Sequence, residues 1–161
     1  QEIGDLNNKN ILIVGDIIHS RVALSNIFAL QLQGANVKVC GPHTLIPKYL
    51  KDFGVKVETD LDKALKWCDV ANMLRLQNER MLESYFPSIR EYKKYYGLTM
   101  DRLQNVNKDI VIMHPGPINR GVEITSEVAD SNNSIILDQV ENGVAIRMAV
   151  IYLLAKKNFD R

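Results

Sequence analysis

The chain of 161 residues lacks a dominant charge: 20 lysines and arginines stand against 19 aspartates and glutamates, for a formal net charge of +1. With no run of like charge, it has no electrostatic footprint for nucleic acid or an anionic membrane, which leaves small molecules and other protein chains as partners. Cysteine is scarce. Cys40 and Cys68 lie in separate apolar segments without a metal-type spacing, and they read as small hydrophobes inside core strands. A secretory leader and an uninterrupted apolar span of membrane length are also missing, which points to a reduced, cytoplasmic, soluble protein. Repeats and low-complexity linkers do not occur, and the length is that of one domain able to bury its own core. The polar opening QEIGDLNNKN has no initiating Met and reads as the edge of a domain cut from a longer chain.

What is present is an alternation of short apolar runs with longer amphipathic stretches. That pattern signals βαβ units and a doubly wound, Rossmann-like α/β fold: a three-layer parallel sheet of about five strands with helices on both faces. NILIVG (residues 10–15), ANVKVCG (35–41), VKVET (55–59), CDVANML (68–74) and IVIM (110–113) supply the strands. Residues 20–32 read as a helix stopped by Gly34, residues 45–53 as a short helix capped by Thr44 and closed by Gly54, and Asp60 caps LDKALKW. Residues 74–107 form a long, charged, tyrosine-rich connection with helical pieces around 87–96 and 99–104, and a connection of that length is usually a functional lid or binding loop. VENGVAIRMAVIYLLAKK (140–157) is the closing helix, with Asp138 at or before its start and two lysines in its last turn.

In such a sheet, ligands bind beyond the carboxyl ends of the strands, where the strand order reverses. With the order 3-2-1-4-5, that point lies between the first and fourth strands and is faced by residues 16–21, 74–80 and 114–123. Each segment holds an arginine near a strand end: Arg21, Arg75 and Arg120, with Arg80 one turn further on. Guanidinium groups grip carboxylates and phosphates in a fixed two-pronged geometry, so converging arginines predict an anionic ligand; an arginine after a strand is, however, most often a solvated surface residue. His19 and His114 read equally well as ligand groups or as histidines that satisfy a backbone group. The first strand exits into GDIIHS without the closely spaced glycines of a dinucleotide site, which excludes a nicotinamide or flavin nucleotide.

Four stretches in order, VGDIIHSRVALSN (14–26), LRLQNER (74–80), HPGPINRGVEI (114–124) and DQVENGVAIRMA (138–149), resemble the C-terminal, aspartate-binding half of the aspartate carbamoyltransferase family. The resemblance covers essentially the whole chain, 1–161, as a single aspartate/ornithine-binding-type domain. It implies transfer of the carbamoyl group of carbamoyl phosphate to the α-amino group of L-aspartate, in de novo pyrimidine synthesis, without metal or organic cofactor. By the same resemblance Arg21 and Arg75 hold the aspartate carboxylates with Gln77 beside them. Gly116 and Pro117, joined by a cis bond, offer backbone carbonyls to the carbamoyl phosphate amino group. Arg80 bridges to the other domain on closure, and residues 78–99 match the loop that moves.

The departures are informative. Gly116 between the prolines, and the extra NRG after them, differ from the branch that works with separate nucleotide-binding subunits, so that regulation is not implied. The family's serine-threonine-arginine phosphate motif belongs to an N-terminal domain and has no match here, nor does the loop that reaches in from a neighbouring subunit of the catalytic trimer. The chain is therefore expected to hold half a site and to be inactive alone. The ornithine-specific relatives resemble each other in Ser-Met-Gly where Leu-Arg-Leu-Gln stands here, and Arg75 would repel ornithine's ammonium group. A stand-alone domain that binds a dicarboxylate, or acts as a scaffold, is the non-enzymatic alternative.

Overall fold

A computed structural model describes residues 4–77 and 88–159. Within them an all-parallel, five-stranded sheet has the order β3-β2-β1-β4-β5. The strands are β1 (Asn10–Val14), β2 (Asn36–Cys40), β3 (Lys56–Glu58), β4 (Val70–Met73) and β5 (Val111–Met113). The parallel sheet is as the alternation of apolar runs predicts, and its order is the one that puts the reversal point between β1 and β4. β1 and β4 are buried on both faces, which is why their sequences run apolar instead of alternating.

One face is covered by α1 (Arg21–Leu32), whose Ala23 and Ile27 pack with Ile13, Val37 and Val39. On the other face α2 (Leu61–Trp67) and α3 (Ile89–Tyr96) pack against Leu12, Val14 and Ala71 through Leu61, Leu65, Tyr92 and Tyr96. The helix starts follow capping chemistry: the side chains of Ser20, Asp60, Ser88 and Thr99 each accept the N–H three residues on. α4 (Met100–Gln104) and α5 (Ser126–Ala129) are short, and α6 (Ile136–Phe159) closes the described chain.

Two local expectations need correction. Residues 45–53 are not one helix capped by Thr44 but two 3-10 turns, His43–Leu45 and Lys48–Phe53. Pro47 separates them, because a proline pushes the residue before it, here Ile46 (φ −115°, ψ 118°), into extended backbone. α6 begins four residues before the predicted 140, in a stretch whose start is set by the bond of Gln139 N–H to Ile135 O. Within the segment 78–99, matched to a loop that moves, Tyr92 and Leu98 are fully buried and Tyr96 nearly so. Residues 78–87, with Arg80, lie outside the described residues. Among those that are described, no helix is long and apolar enough to cross a membrane.

Candidate active site

The loops that leave β1, β4 and β5 meet at the carboxyl edge of the sheet. The first is fixed by its own polar atoms. Gly15, at φ +124°, lets Tyr92 approach so closely that a Cβ there would stand 2.9 Å from the phenol oxygen. The N–H groups of Ile17 and Ile18 both donate to Leu45 O (3.1 Å). Asp16, fully buried, accepts the His19 N–H (3.1 Å), and both its oxygens lie 2.9 Å from His19 Nδ1. Burying a carboxylate is costly unless it is hydrogen-bonded, and His19 supplies those bonds. Ser20 then caps α1 through the Ala23 N–H (3.1 Å), so that Arg21 is the first helical residue, exposed at the rim.

The second loop holds Arg75 and Gln77, both half-buried, on either side of buried Leu76. The last rung joining this strand end to β1 is Leu74 N–H to Val14 O (2.8 Å). The Leu76 carbonyl is taken by the Asn119 side chain, whose Nδ2–H donates across 3.2 Å.

The third loop is the stiff turn His114-Pro115-Gly116-Pro117. Its Gly116–Pro117 bond is cis and Gly116 adopts φ +65°, in the left-handed region that favours glycine. His114 is fully buried, and its backbone N–H donates to Gln139 Oε1 of α6 (2.9 Å). The Gly116 N–H donates to His114 Nδ1 (2.9 Å), so the ring proton sits on Nε2, which points at Glu123 Oε1 (3.3 Å). That oxygen also accepts the Asn119 N–H (2.7 Å), and Glu123 itself is fully buried. These bonds hold the backbone of the turn in place.

Of the residues singled out in the sequence, the sheet thus gathers Arg21, Arg75, Gln77, Gly116 and Pro117 around one edge. Arg120 does not join them. It turns outward and makes a two-pronged pair with exposed Asp130 (2.8 Å on each arm), which lowers the Asp130 carboxyl below its ordinary range. The sequence reading assigned no role to Asp16, Glu123 or Asn119. The available signal was an acid directly after a strand-end glycine, and another only two residues past Gly121, placed before Ile124 in a stretch that had to return to the core.

The chain is similar to known proteins of one family. A family profile described as "Aspartate/ornithine carbamoyltransferase, Asp/Orn binding domain" matches residues 7–154. An aspartate carbamoyltransferase catalytic subunit from Flavobacterium johnsoniae is 70% identical over 157 residues, 98% of this chain and 51% of that protein. The solved catalytic subunit of M. jannaschii aspartate transcarbamoylase superposes with a TM-score of 0.77 at 30% identity, over 97% of this chain and 53% of that one. Ornithine carbamoyltransferase from Pyrococcus furiosus gives 0.75 at 26% identity, over 93% and 50%. The chain spans about half the length of the curated relatives it matches.

Proposed function

Because the chain belongs to the aspartate/ornithine carbamoyltransferase family through its Asp/Orn-binding domain, we propose that it is the acceptor half of an aspartate carbamoyltransferase. In this reading the α-amino nitrogen of L-aspartate attacks the carbonyl carbon of carbamoyl phosphate, and phosphate leaves, giving N-carbamoyl-L-aspartate for pyrimidine synthesis. The observation that carries it is the gathering of the Arg21, Arg75–Gln77 and Gly116–Pro117 loops at one sheet edge, two of them tied by the Asn119 to Leu76 bond.

Aspartate offers two carboxylates, which suit two guanidinium groups, and the positive surroundings favour its amine in the unprotonated, nucleophilic form. The Gly116 and Pro117 carbonyls accept from the carbamoyl NH₂ and aim the carbon at that amine, so the rate gain from this half is one of orientation. Phosphate binding and stabilisation of the developing oxyanion fall to an upstream half of the protein, together with a neighbouring chain. An upstream half is supported by α6, where Leu137, Ile146, Met148, Tyr152 and Leu153 are all exposed, as an element does when it needs further covering. Arg80 is assigned the contact between halves on closure, and the cell compartment is the cytoplasm.

The test is the rate of carbamoyl transfer to L-aspartate and to L-ornithine by the chain with its upstream half restored. Turnover is expected with aspartate only. Arg75→Ala should lose about a hundredfold or more in kcat/KM, as expected for truncating one member of a desolvated charge pair. The chain 1–161 alone should be inactive. Transfer to ornithine, or none to either acceptor, would overturn the proposal.

A further inference from the structure

We infer that Asn119 is a positioning residue that ties the carbamoyl phosphate turn to the aspartate clamp, an inference that rests on the reading just proposed. The segment with Arg75 and Gln77 leaves the sheet after the rung at Leu74, so its place must be set by something other than the ladder. The Asn119 side chain does this, since its Nδ2–H holds the carbonyl of Leu76, the residue between the two (3.2 Å). The backbone N–H of the same residue is held by Glu123 Oε1 (2.7 Å), the oxygen that faces His114 Nε2 (3.3 Å). His114 Nδ1 in turn holds Gly116 at 2.9 Å. One residue therefore bonds each wall of the crevice, and the path from Gly116 to Leu76 runs through four hydrogen bonds without reaching solvent-exposed side chains.

A turn that had only to reverse the chain would not need a fully buried acid. Glu123 leaves its second oxygen, Oε2, buried without a hydrogen-bond partner among the described residues, a costly arrangement for a carboxylate. What the acid supplies is an acceptor strong enough to take an imidazole N–H and a backbone N–H together, which frees Nδ1 for Gly116. The two walls are thus built on one anion, and Asn119 transmits its position to the clamp. Displacement of reacting groups by about 1 Å can cost on the order of a hundredfold in rate, so a link of this kind is worth its local cost.

The test uses the full-length chain, upstream half included, and compares wild type with Asn119→Ala and Asn119→Ser. Both variants keep the backbone N–H on Glu123 and remove the reach to Leu76. The expected result is a KM for aspartate raised about tenfold, a KM for carbamoyl phosphate within about twofold of wild type, and a melting temperature within a few degrees, since the clamp loosens while the turn stays. An aspartate KM unchanged in both variants would overturn the inference. So would a parallel rise in both KM values with a lower melting temperature, or loss of the folded state in both, because Asn119 would then be a general structural residue. If wild type turns over aspartate and the variants show no split, this inference alone falls; if wild type has no turnover, the proposed function falls and takes it along.

Discussion

Three buried groups give the folded chain an alkaline limit. Burial pushes the thiols of Cys40 and Cys68 from the ordinary 9.0 up to about 12. Burial also raises the Tyr92 phenol above its ordinary 10.0, reinforced by the negative charges of Glu123 and Asp16. Each group keeps its proton in the folded chain and releases it near the ordinary value in the unfolded one. Above pH 9 the unfolded state therefore binds fewer protons, and stability that is intact below pH 9 is lost as the pH rises, first through the cysteines and from pH 10 also through Tyr92. By pH 10.5 each thiol accounts for about 2 kcal/mol. The urea midpoint should be flat from pH 7 to 8.5 and fall beyond 9, and Cys40→Ala with Cys68→Ala should remove the earlier part of the fall. A midpoint unchanged at pH 10.5 would contradict the burial of these groups. At neutral pH the same two thiols should resist a thiol reagent until the chain is unfolded.

At the scale of elements, the start of α1 joins stability to the site. Ser20 is buried, its hydroxyl accepts the Ala23 N–H (3.1 Å), and the next residue is Arg21. Ser20→Ala should cost about 1 kcal/mol in urea denaturation, the usual value of an N-cap. In the full-length protein it should also raise the KM for aspartate severalfold, because a frayed first turn releases Arg21; a stability loss with no change in KM would separate the cap from the clamp. The cap at Asp60 was legible in the sequence, as were the strands, because capping residues and apolar periodicity are local properties. In the sequence, by contrast, Ser20 reads as part of the helix it caps, and the strand order 3-2-1-4-5 enters only as a condition. The turn at Pro47 was also visible in principle, since the proline's effect on Ile46 is local. The role of Glu123 was not. A glutamate in a loop is ordinarily solvated, and only the fold shows that this one lies beneath His114 and Asn119. Arg120 fails for the opposite reason: its position after a strand fits the crevice, while its partner Asp130, ten residues on, can be found only in three dimensions.

The whole molecule divides into a sheet sandwiched between helices and a long helix that shares little of that core. Leu12 at the centre of β1 is fully buried against α2 and α3, whereas Leu153 on α6 is 64% exposed. Truncating the first leaves a cavity in close-packed surroundings and should cost about 3 kcal/mol; truncating the second removes few contacts and should cost less than about 0.5 kcal/mol. Urea denaturation of the chain 1–161 carrying Leu12→Ala or Leu153→Ala measures both. The comparison becomes decisive when repeated in the full-length protein. If an upstream half covers α6, Leu153 becomes a core residue there, and the same substitution should cost upwards of about 1.5 kcal/mol, while the cost at Leu12 stays unchanged because its neighbours all lie within this domain. Equal, small costs at Leu153 in both settings would mean that α6 remains exposed, and the half-site would have to be completed through some other surface.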